Sequence, residues 1–487
     1  MTDRRRIAPR TAAEPPVRPS RVRLTAFIVA CALVMQNVDS TVVATALPVM
    51  ARAFGADPVR MNVALTSYLL SLAVFIPASG WMADRFGTRT VFRAAIVVFT
   101  VGSVLCGRAD SLGFLVGARI LQGLGGAMMV PVGRLLLVRS VEKSEIVAAM
   151  AWLSMPALIG PVLGPPLGGF IVTYWSWRWI FDINVPIGIV GVVLVSLFIE
   201  EVREPKPARF DFSGLALSGL CLAGLMFGFE IAGRGVVPAP LAAALLGMGV
   251  LCGFGYWRHA RRHPRPVLDL SLLRIPTFGV SVLGGSLFRF GIGAIPFLLP
   301  MMLQLGFGYS AARSGLVTFA SSAGALIMKP ATQWALRWIG FRTTLLWNAL
   351  ISAALLGACA AFRPAWPMLG IYAVLLLGGF FRSLQFTAYN ALAYADIPRS
   401  RMSAATSLYS TFQQLSLTLG IAVGAAALEV AIAVGGNARP SLLDFSLAFL
   451  VVTFFSLVAA PVPLLMPSEA GAELSGQRTG QTAERLR

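Results

Sequence analysis

The chain has 487 residues, 57% of them hydrophobic and 13% charged, with a mean hydropathy of +0.76 and a formal net charge of +19. Soluble domains carry charge on roughly 25% of their residues, so this composition excludes a soluble globular protein and indicates a membrane protein. The basic residues sit between apolar runs rather than in one soluble patch, which makes the charge a question of topology before one of nucleic-acid binding.

A membrane-crossing helix needs ~20 mostly apolar residues. With that length as the ruler, and charges, Gly and Pro as punctuation, the sequence predicts fourteen spans: 24–46, 61–83, 90–108, 112–137, 147–173, 180–199, 213–232, 237–257, 276–302, 313–336, 343–361, 367–392, 402–434 and 441–466. The implied organisation is a basic tail (1–23), a six-helix half (24–199), two inserted helices with flanking loops (200–275), a second six-helix half (276–466) and a tail (467–487). Arg4, Arg5 and Arg6 before the first span and Ala44-Thr45-Ala46 at its end imitate a signal peptide. Asp39 inside the run, and the run's length, favour a retained helix.

Of the 40 Lys and Arg residues, 28 fall in alternate segments beginning with the N-terminal tail. The intervening loops hold Arg52, Arg60, Arg108, Arg178, Arg234, Arg313, Arg363 and Arg439, and the helices hold Arg119, Arg289, Lys329 and Arg382. The positive-inside rule then predicts two cytoplasmic termini. Most of the positive charge needs no nucleic acid to explain it.

A charged hinge, PASGWMADRFGTRT (Pro77 to Thr90), joins the second and third spans, and PATQWALRWIGFRT (Pro330 to Thr343) repeats it between the tenth and eleventh. Leu47-Pro48 and Met50 are echoed by Leu299-Pro300 and Met302, and Arg119-x-x-Gln122 by Arg382-x-x-Gln385. Repeats of equal orientation predict two parallel halves with a substrate site between them near midplane. The seventh and eighth spans have no counterpart. The second hinge carries Arg337 where the first has Asp84, so it keeps the turn at Gly340 and the basic Arg342 but not the acid.

Cys31, Cys106, Cys221, Cys252 and Cys359 lie in or at the ends of apolar runs without CxxC spacing, so neither a disulfide nor a metal site is expected. His259 and His263 have no acid or cysteine at ligand spacing and read as solvated loop residues. No GxSxG, HExxH or Walker-type loop is present, so the sequence gives no support to an enzyme.

Asp39 stands out because an ionised carboxylate inside a membrane-embedded bundle costs several kcal/mol without a partner or cavity. Counted from the outer end of each span, Asp39 and Arg119 both lie about seven residues deep, roughly 10 Å at 1.5 Å per residue, so they are expected to meet. A change in their separation or wetting alters proton affinity, the physical basis of a proton-coupled cycle; a permanent structural ion pair is the plain alternative. Glu230 and Glu429 lie nearer the outer ends and read as interfacial, and Asp182 suits a local pair with Arg178. Arg289 is about thirteen residues deep and calls for an acid or an anionic ligand. Lys329 is shallow enough to snorkel. Gly160, Gly164 and Gly168 recur every four residues as a smooth stripe, while Pro161, Pro165 and Pro166 bend the same helix. Met128, Met129, Met301 and Met302 offer either adaptable binding surface or packing.

As a set, several motifs resemble the major facilitator superfamily over essentially the whole chain. GWMADRFGTRT resembles its cytoplasmic loop motif, ARILQGLGGAMMVPVGR its fourth-helix motif, and GPPLGG (Gly164 to Gly169) the fifth-helix motif of its antiporters. VDSTVVATALP is similar to the first-helix motif of the fourteen-helix drug:proton antiporters, and WSWRWIFDINVPIG and FRSLQFTAYNALAYADIP add to the match. The resemblance implies an all-α membrane protein of major facilitator fold with fourteen helices, exporting an amphipathic small molecule in exchange for protons. It implies a coupling role for Asp39 with Arg119, a gating loop of Gly80, Asp84, Arg85, Gly87 and Arg89, and an antiporter motif of Gly160, Gly164, Pro165, Gly168 and Gly169. The central cavity is assigned Gln36, Gln122, Arg289, Arg382 and Gln385. No cofactor is expected, the proton gradient being the energy source. The expected partners are the substrate, protons and membrane lipid but no nucleic acid, with a monomer in a bacterial inner membrane as the working unit. The gating acid is expected to latch the halves at the start of the thirteenth span, near Ser403, whose free N–H groups and dipole face the same compartment. Alternatives from the same residues are a uniporter or anion-coupled carrier and a non-transporting sensor.

Overall fold

The computed structural model describes residues 19–475 except 56–57, 142–144, 152, 154–163, 165–166, 169, 173, 204–208, 233–238, 310 and 437–439. Every regular element among them is helical. In chain order the helices are α1 (Pro19–Phe54), α2 (Pro58–Phe75), α3 (Ser79–Phe86), α4 (Thr88–Gly107), α5 (Leu112–Ser140), α6 (Trp179–Asp182), α7 (Asn184–Phe198), α8 (Phe212–Ala232), α9 (Ala239–Ala260), α10 (Pro276–Gly293), α11 (Ile295–Met301), α12 (Ala311–Ile339), α13 (Phe341–Ala358), α14 (Met368–Leu392), α15 (Met402–Gly435) and α16 (Leu442–Val458).

Twelve helical stretches among the described residues are long and apolar enough to span a membrane, against fourteen predicted. Much of the predicted span 147–173 lies outside the described residues. The span predicted at 313–336 falls within α12, a 29-residue helix long enough to cross but diluted by Arg313, Lys329 and Arg337. Helix ends follow local chemistry. Ser111 caps α5 by accepting from the Phe114 N–H at 3.3 Å, and Ser441 and Asp444 cap α16 reciprocally.

The first hinge is a break rather than a loop. Pro77 sits in a 3-10 turn, Ile76–Ala78, that divides the predicted second span into α2 and α3. Gly87, at φ +92°, then turns the chain into α4, and Gly340, at φ +80°, makes the same turn between α12 and α13. The predicted span 276–302 is also broken: α10 ends at Gly293, α11 begins with Pro296 near its start, and a π turn covers Met302–Gly306.

Within the first half α4, α1 and α2 pack on α5, and within the second α12 packs on α14 and α10 on α15. The two halves meet where α3, its 3-10 turn and α5 lie against α15. Ser407 donates to the Ile76 and Pro77 carbonyls at 3.1 and 2.8 Å. Gly80 permits this approach, because a Cβ there would lie 2.7 Å from the Ser403 carbonyl oxygen. The inserted helices α8 and α9 pair with each other, and α8 also packs against α2 and α15, one helix from each half. Only 17% of the apolar span in α9 is buried, which leaves the rest for lipid.

Candidate functional site

Asp39 and Arg119 form a fully buried ion pair, Arg119 Nη1 to Asp39 Oδ2 at 2.7 Å, with no exposed surface on either side chain. The depth count placed them level, and α1 and α5 bring them into contact. Around them the first half supplies neutral donors: Gln122 Nε2 and Asn184 Nδ2 donate to Asp39 Oδ1 at 2.9 and 3.0 Å. Both amides also donate to Ser103 Oγ, at 3.1 and 2.8 Å, and Ser103 donates to the Phe181 carbonyl at 3.1 Å. Arg119 is steadied by the Gln122 carbonyl oxygen at 2.5 Å, the Ala64 carbonyl at 3.2 Å and the ring of Tyr68, whose centre is 4.4 Å from the guanidinium carbon.

This cluster is tightly held but not saturated. Arg119 Nη2 is buried without a partner among the described residues, and Gln36, one turn before Asp39, lies beside the Tyr68 hydroxyl. By the Leu-Pro register the residue of the second half that matches Asp39 is Gly291. The repeat keeps the helix and omits the acid.

The echoed pair behaves differently. Arg382 donates to Ser321 Oγ at 2.6 Å, while Gln385 donates to the Leu345 carbonyl at 3.0 Å and accepts from Asn348 at 2.7 Å. Gln385, assigned to the cavity from sequence, is thus turned toward α13 inside the second half. Gln122, assigned likewise, belongs to the acid cluster. Arg289, 1% exposed, donates to the Tyr409 hydroxyl at 2.7 Å. Lys329, for which snorkelling was one of two open readings, is buried and donates to Thr387 at 2.9 Å.

At the hinge, Asp84 accepts from Ser403 Oγ on α15 and from Arg139 Nη2 on α5, the latter at 3.3 Å. The expected acceptor region is therefore the contact region, with a side-chain hydroxyl and a same-half arginine among the groups that bind the acid. Arg89 and Thr90 bind Glu201, which follows α7: its oxygens accept from the Arg89 N–H at 3.1 Å and from Thr90 Oγ1 at 2.5 Å. A Cβ on Gly87 would collide with the same carboxylate. Arg85 is exposed. Asp182 pairs with Arg108 at 3.3 Å rather than with the expected Arg178, which reaches Asp110 at 3.6 Å.

Of the fifth-helix motif, Gly160, Pro165 and Gly169 lie outside the described residues. Gly164 is buried against Thr41 of α1, where a Cβ would collide with the hydroxyl. That contact is inside the first half, not across the seam. The side chain of Glu230 is likewise outside the described residues, and Glu429 is exposed.

His259 is not a solvated loop residue, whereas His263 does lie in the loop that follows α9. His259, in the last turn of α9, lies 2.8 Å from Asp211 Oδ1, and its ring stacks on His263 with centres 5.2 Å apart. Ligand atoms of these three residues fall within 4.8 Å of one another. Asp211 is nevertheless committed to the chain around it, accepting from the Gly214 and Val267 N–H groups at 2.8 and 3.2 Å. Burial pushes the Asp211 carboxyl up, but the bonds from Gly214, His259 and Val267 outweigh it and hold the group below its ordinary value.

Sequence reasoning missed Asn184, Ser103, Tyr68, Tyr409 and Arg134. Arg134 was counted among the inner segments, yet α5 continues to Ser140 and Arg134 is 5% exposed. Its position inside the predicted span 112–137 was the available signal.

Comparison with known proteins places these features in a family. The model of the Major Facilitator Superfamily matches residues 29–421. MdtD of Pectobacterium atrosepticum, named for multidrug resistance, is 39% identical over 417 residues, 85% of this chain and 88% of that one. The protein of the same name from Serratia proteamaculans is 37% identical over 458 residues, 93% and 94% of the two chains. The human organic anion transporter MFSD10 superposes with a TM-score of 0.65 at 16% identity, covering 92% of this chain and 100% of that one. The proton:xylose symporter XylE superposes with a TM-score of 0.62 at 14% identity, covering 94% and 98%. With a family model matched over most of its length and relatives this similar across nearly all of theirs, the chain belongs to the major facilitator superfamily.

Proposed function

We propose that this membrane transporter is a proton-coupled exporter of amphipathic small molecules, working by alternating access as a monomer in a bacterial inner membrane. The observation that carries the reading is the buried Asp39–Arg119 pair in the first half. A proton on Asp39 and the contact with Arg119 are alternatives, because a protonated carboxyl no longer offers a full charge to the guanidinium. Movement of α1 against α5 that parts the two residues favours protonation; movement that restores their contact with Gln122 and Asn184 expels the proton. The names of the MdtD relatives support multidrug compounds as cargo.

Fourteen spans follow if α12 and the segment 147–173 cross the membrane with the twelve apolar stretches. The excess of Lys and Arg in alternate segments supports cytoplasmic termini. On that orientation the Asp84–Ser403 contact closes the cytoplasmic end, and its opening would admit substrate from the cell. The test is uptake of amphipathic fluorophores of either charge into inside-out vesicles energised by a proton gradient. Accumulation that collapses with a protonophore is expected. Accumulation that ignores it would favour a uniporter or an anion-coupled carrier.

A further inference from the structure

Two buried arginines, one from each half, converge on a single ring. Arg134 on α5 and Arg289 on α10 are 5% and 1% exposed, and their guanidinium carbons lie 5.5 and 5.2 Å from the centre of the Tyr409 ring on α15. Arg134 donates to Gln413 Oε1 at 2.9 Å and to Ser410 Oγ at 3.3 Å, and Arg289 to the Tyr409 hydroxyl at 2.7 Å. Every one of these acceptors is neutral. A guanidinium stays charged inside a protein, so neither arginine escapes by losing its proton.

No carboxylate among the described residues pairs with either arginine. Asp39 is held by Arg119, Asp84 by Arg139, Asp182 by Arg108, and Asp444 closes its own helix cap. Glu429 is 20 residues beyond Tyr409 on the same helix, roughly 30 Å along its axis. The segment 147–173 contains no Asp or Glu, and neither do α10, α12 and α14, which add Lys329 and Arg382 to the positive charge of the second half. The site also holds unused donors: Arg134 Nε and Arg289 Nε are buried without partners among the described residues. Buried donors left unmatched in a native protein call for a ligand.

One helical turn from these residues, an apolar pocket of about 630 Å3 runs between α10 and α15; its lining includes Val282, Leu283, Ser286, Phe290, Phe412 and Leu419 but none of Arg134, Arg289 and Tyr409. Ser286 is one turn before Arg289, and Phe412 one turn after Tyr409. Cations that present planar donor forks beside an apolar wall match one ligand shape, a carboxylate on an apolar body.

We propose that Arg134 and Arg289, around Tyr409, bind the carboxylate of an amphipathic organic anion, and that such anions are the substrate class of this transporter. The proposal rests on the export reading above and names its cargo. Because the two arginines come from different halves, rocking of the halves makes and breaks the site, a geometry suited to loading at one face and release at the other.

The test uses the full chain in lipid nanodiscs and two probes of matched body, pyrene-1-butyrate and the corresponding pyrenebutyl-trimethylammonium. The carboxylate should bind at least tenfold more tightly than the ammonium compound. Arg134→Gln and Arg289→Gln should each weaken carboxylate binding at least tenfold, while Arg289→Lys keeps part of it. Monodisperse elution and an unchanged affinity for the ammonium probe identify variants that remain folded; if neither Gln variant folds, the wild-type preference and the Arg289→Lys value decide. Equal wild-type affinities, or carboxylate binding indifferent to these substitutions, overturn the proposal. In proteoliposomes, export of the ammonium compound but not the carboxylate also overturns it and leaves the export reading standing. Tight arginine-dependent carboxylate binding with transport of neither probe supports the site and removes the export reading instead.

Discussion

Asp84 on α3 and Ser403 in the first turn of α15 are hydrogen-bonded across the seam between the two halves, 319 positions apart in sequence. Arg139 shares the same carboxylate at 3.3 Å. The contact ties the end of α3 to the first turn of α15, while Ser407, one turn further along α15, holds the proline-bearing turn that ends α2.

Weakening this contact should shift the population of transporter states. Charge-assisted hydrogen bonds contribute ~1.5–3 kcal/mol; partial exposure here, 24% for the Asp84 side chain, reduces that to about 1–2 kcal/mol, or roughly five- to thirtyfold in population. Asp84→Asn and Ser403→Ala should therefore lengthen distances between spin labels on α3 and at the start of α15, with transport slowed and substrate affinity retained. An unchanged distance distribution in both variants would remove Asp84 as a latch.

Gly420 on α15 sits against the backbone of α10. An added Cβ would lie 2.7 Å from the Phe290 carbonyl oxygen, 2.9 Å from that of Arg289 and 3.1 Å from the Gly293 Cα. Backbone cannot swing aside as a side-chain tip can, so Gly420→Ala must part the two helices. The expected loss is ~1–3 kcal/mol, the usual result of overpacking, read as a lower unfolding temperature in detergent. A wild-type unfolding temperature would show that α10 and α15 are looser than this spacing.

The sequence made the Asp39–Arg119 pair legible because charges inside apolar runs are few, and depth along a helix is fixed by a constant rise. The hinge was legible because it recurs. Asn184 and Ser103 were not, since neutral polar residues in apolar helices are common and only the crossing of helices decides which of them face an acid. Arg134 was lost to a boundary error, and Tyr409 carried no signal apart from its fold. The repeat suggested like roles for Gln122 and Gln385, yet without an acid at Gly291 the second glutamine turns to backbone.

The Asp211 contact gives an acid-side dependence of stability. Its folded value lies below the ordinary carboxylate value of 3.8, so the unfolded chain binds more protons in the window between them. The contribution is therefore complete above about pH 4 and is lost as pH falls through the lower folded value. Asp211→Asn should unfold at a lower temperature than wild type at pH 6, by an amount reflecting about 1–2 kcal/mol. That gap should narrow as pH drops below 3.8; a gap of constant size from pH 6 to pH 3 would show that the carboxylate's charge is not what anchors the loop.

Asp39 and Arg119 should differ in what their loss does. Arg119 makes three hydrogen bonds, to Asp39, Gln122 and the Ala64 carbonyl, and lies against Tyr68. Arg119→Ala strands a buried carboxylate, a change that typically costs 3–5 kcal/mol, so poor yield and a lowered unfolding temperature are expected. Asp39→Asn keeps the shape of the acceptor and one carbonyl oxygen for Arg119 or Gln122, which makes it the milder change for folding. It removes the one acid of the cluster among the described residues, however, and an amide cannot take up and release a proton at neutral pH. Substrate-induced proton release from proteoliposomes should therefore vanish in Asp39→Asn while the protein still elutes as a folded species and still binds substrate. Release at the wild-type level would eliminate Asp39 as the coupling acid and turn attention to Glu230 and Glu429.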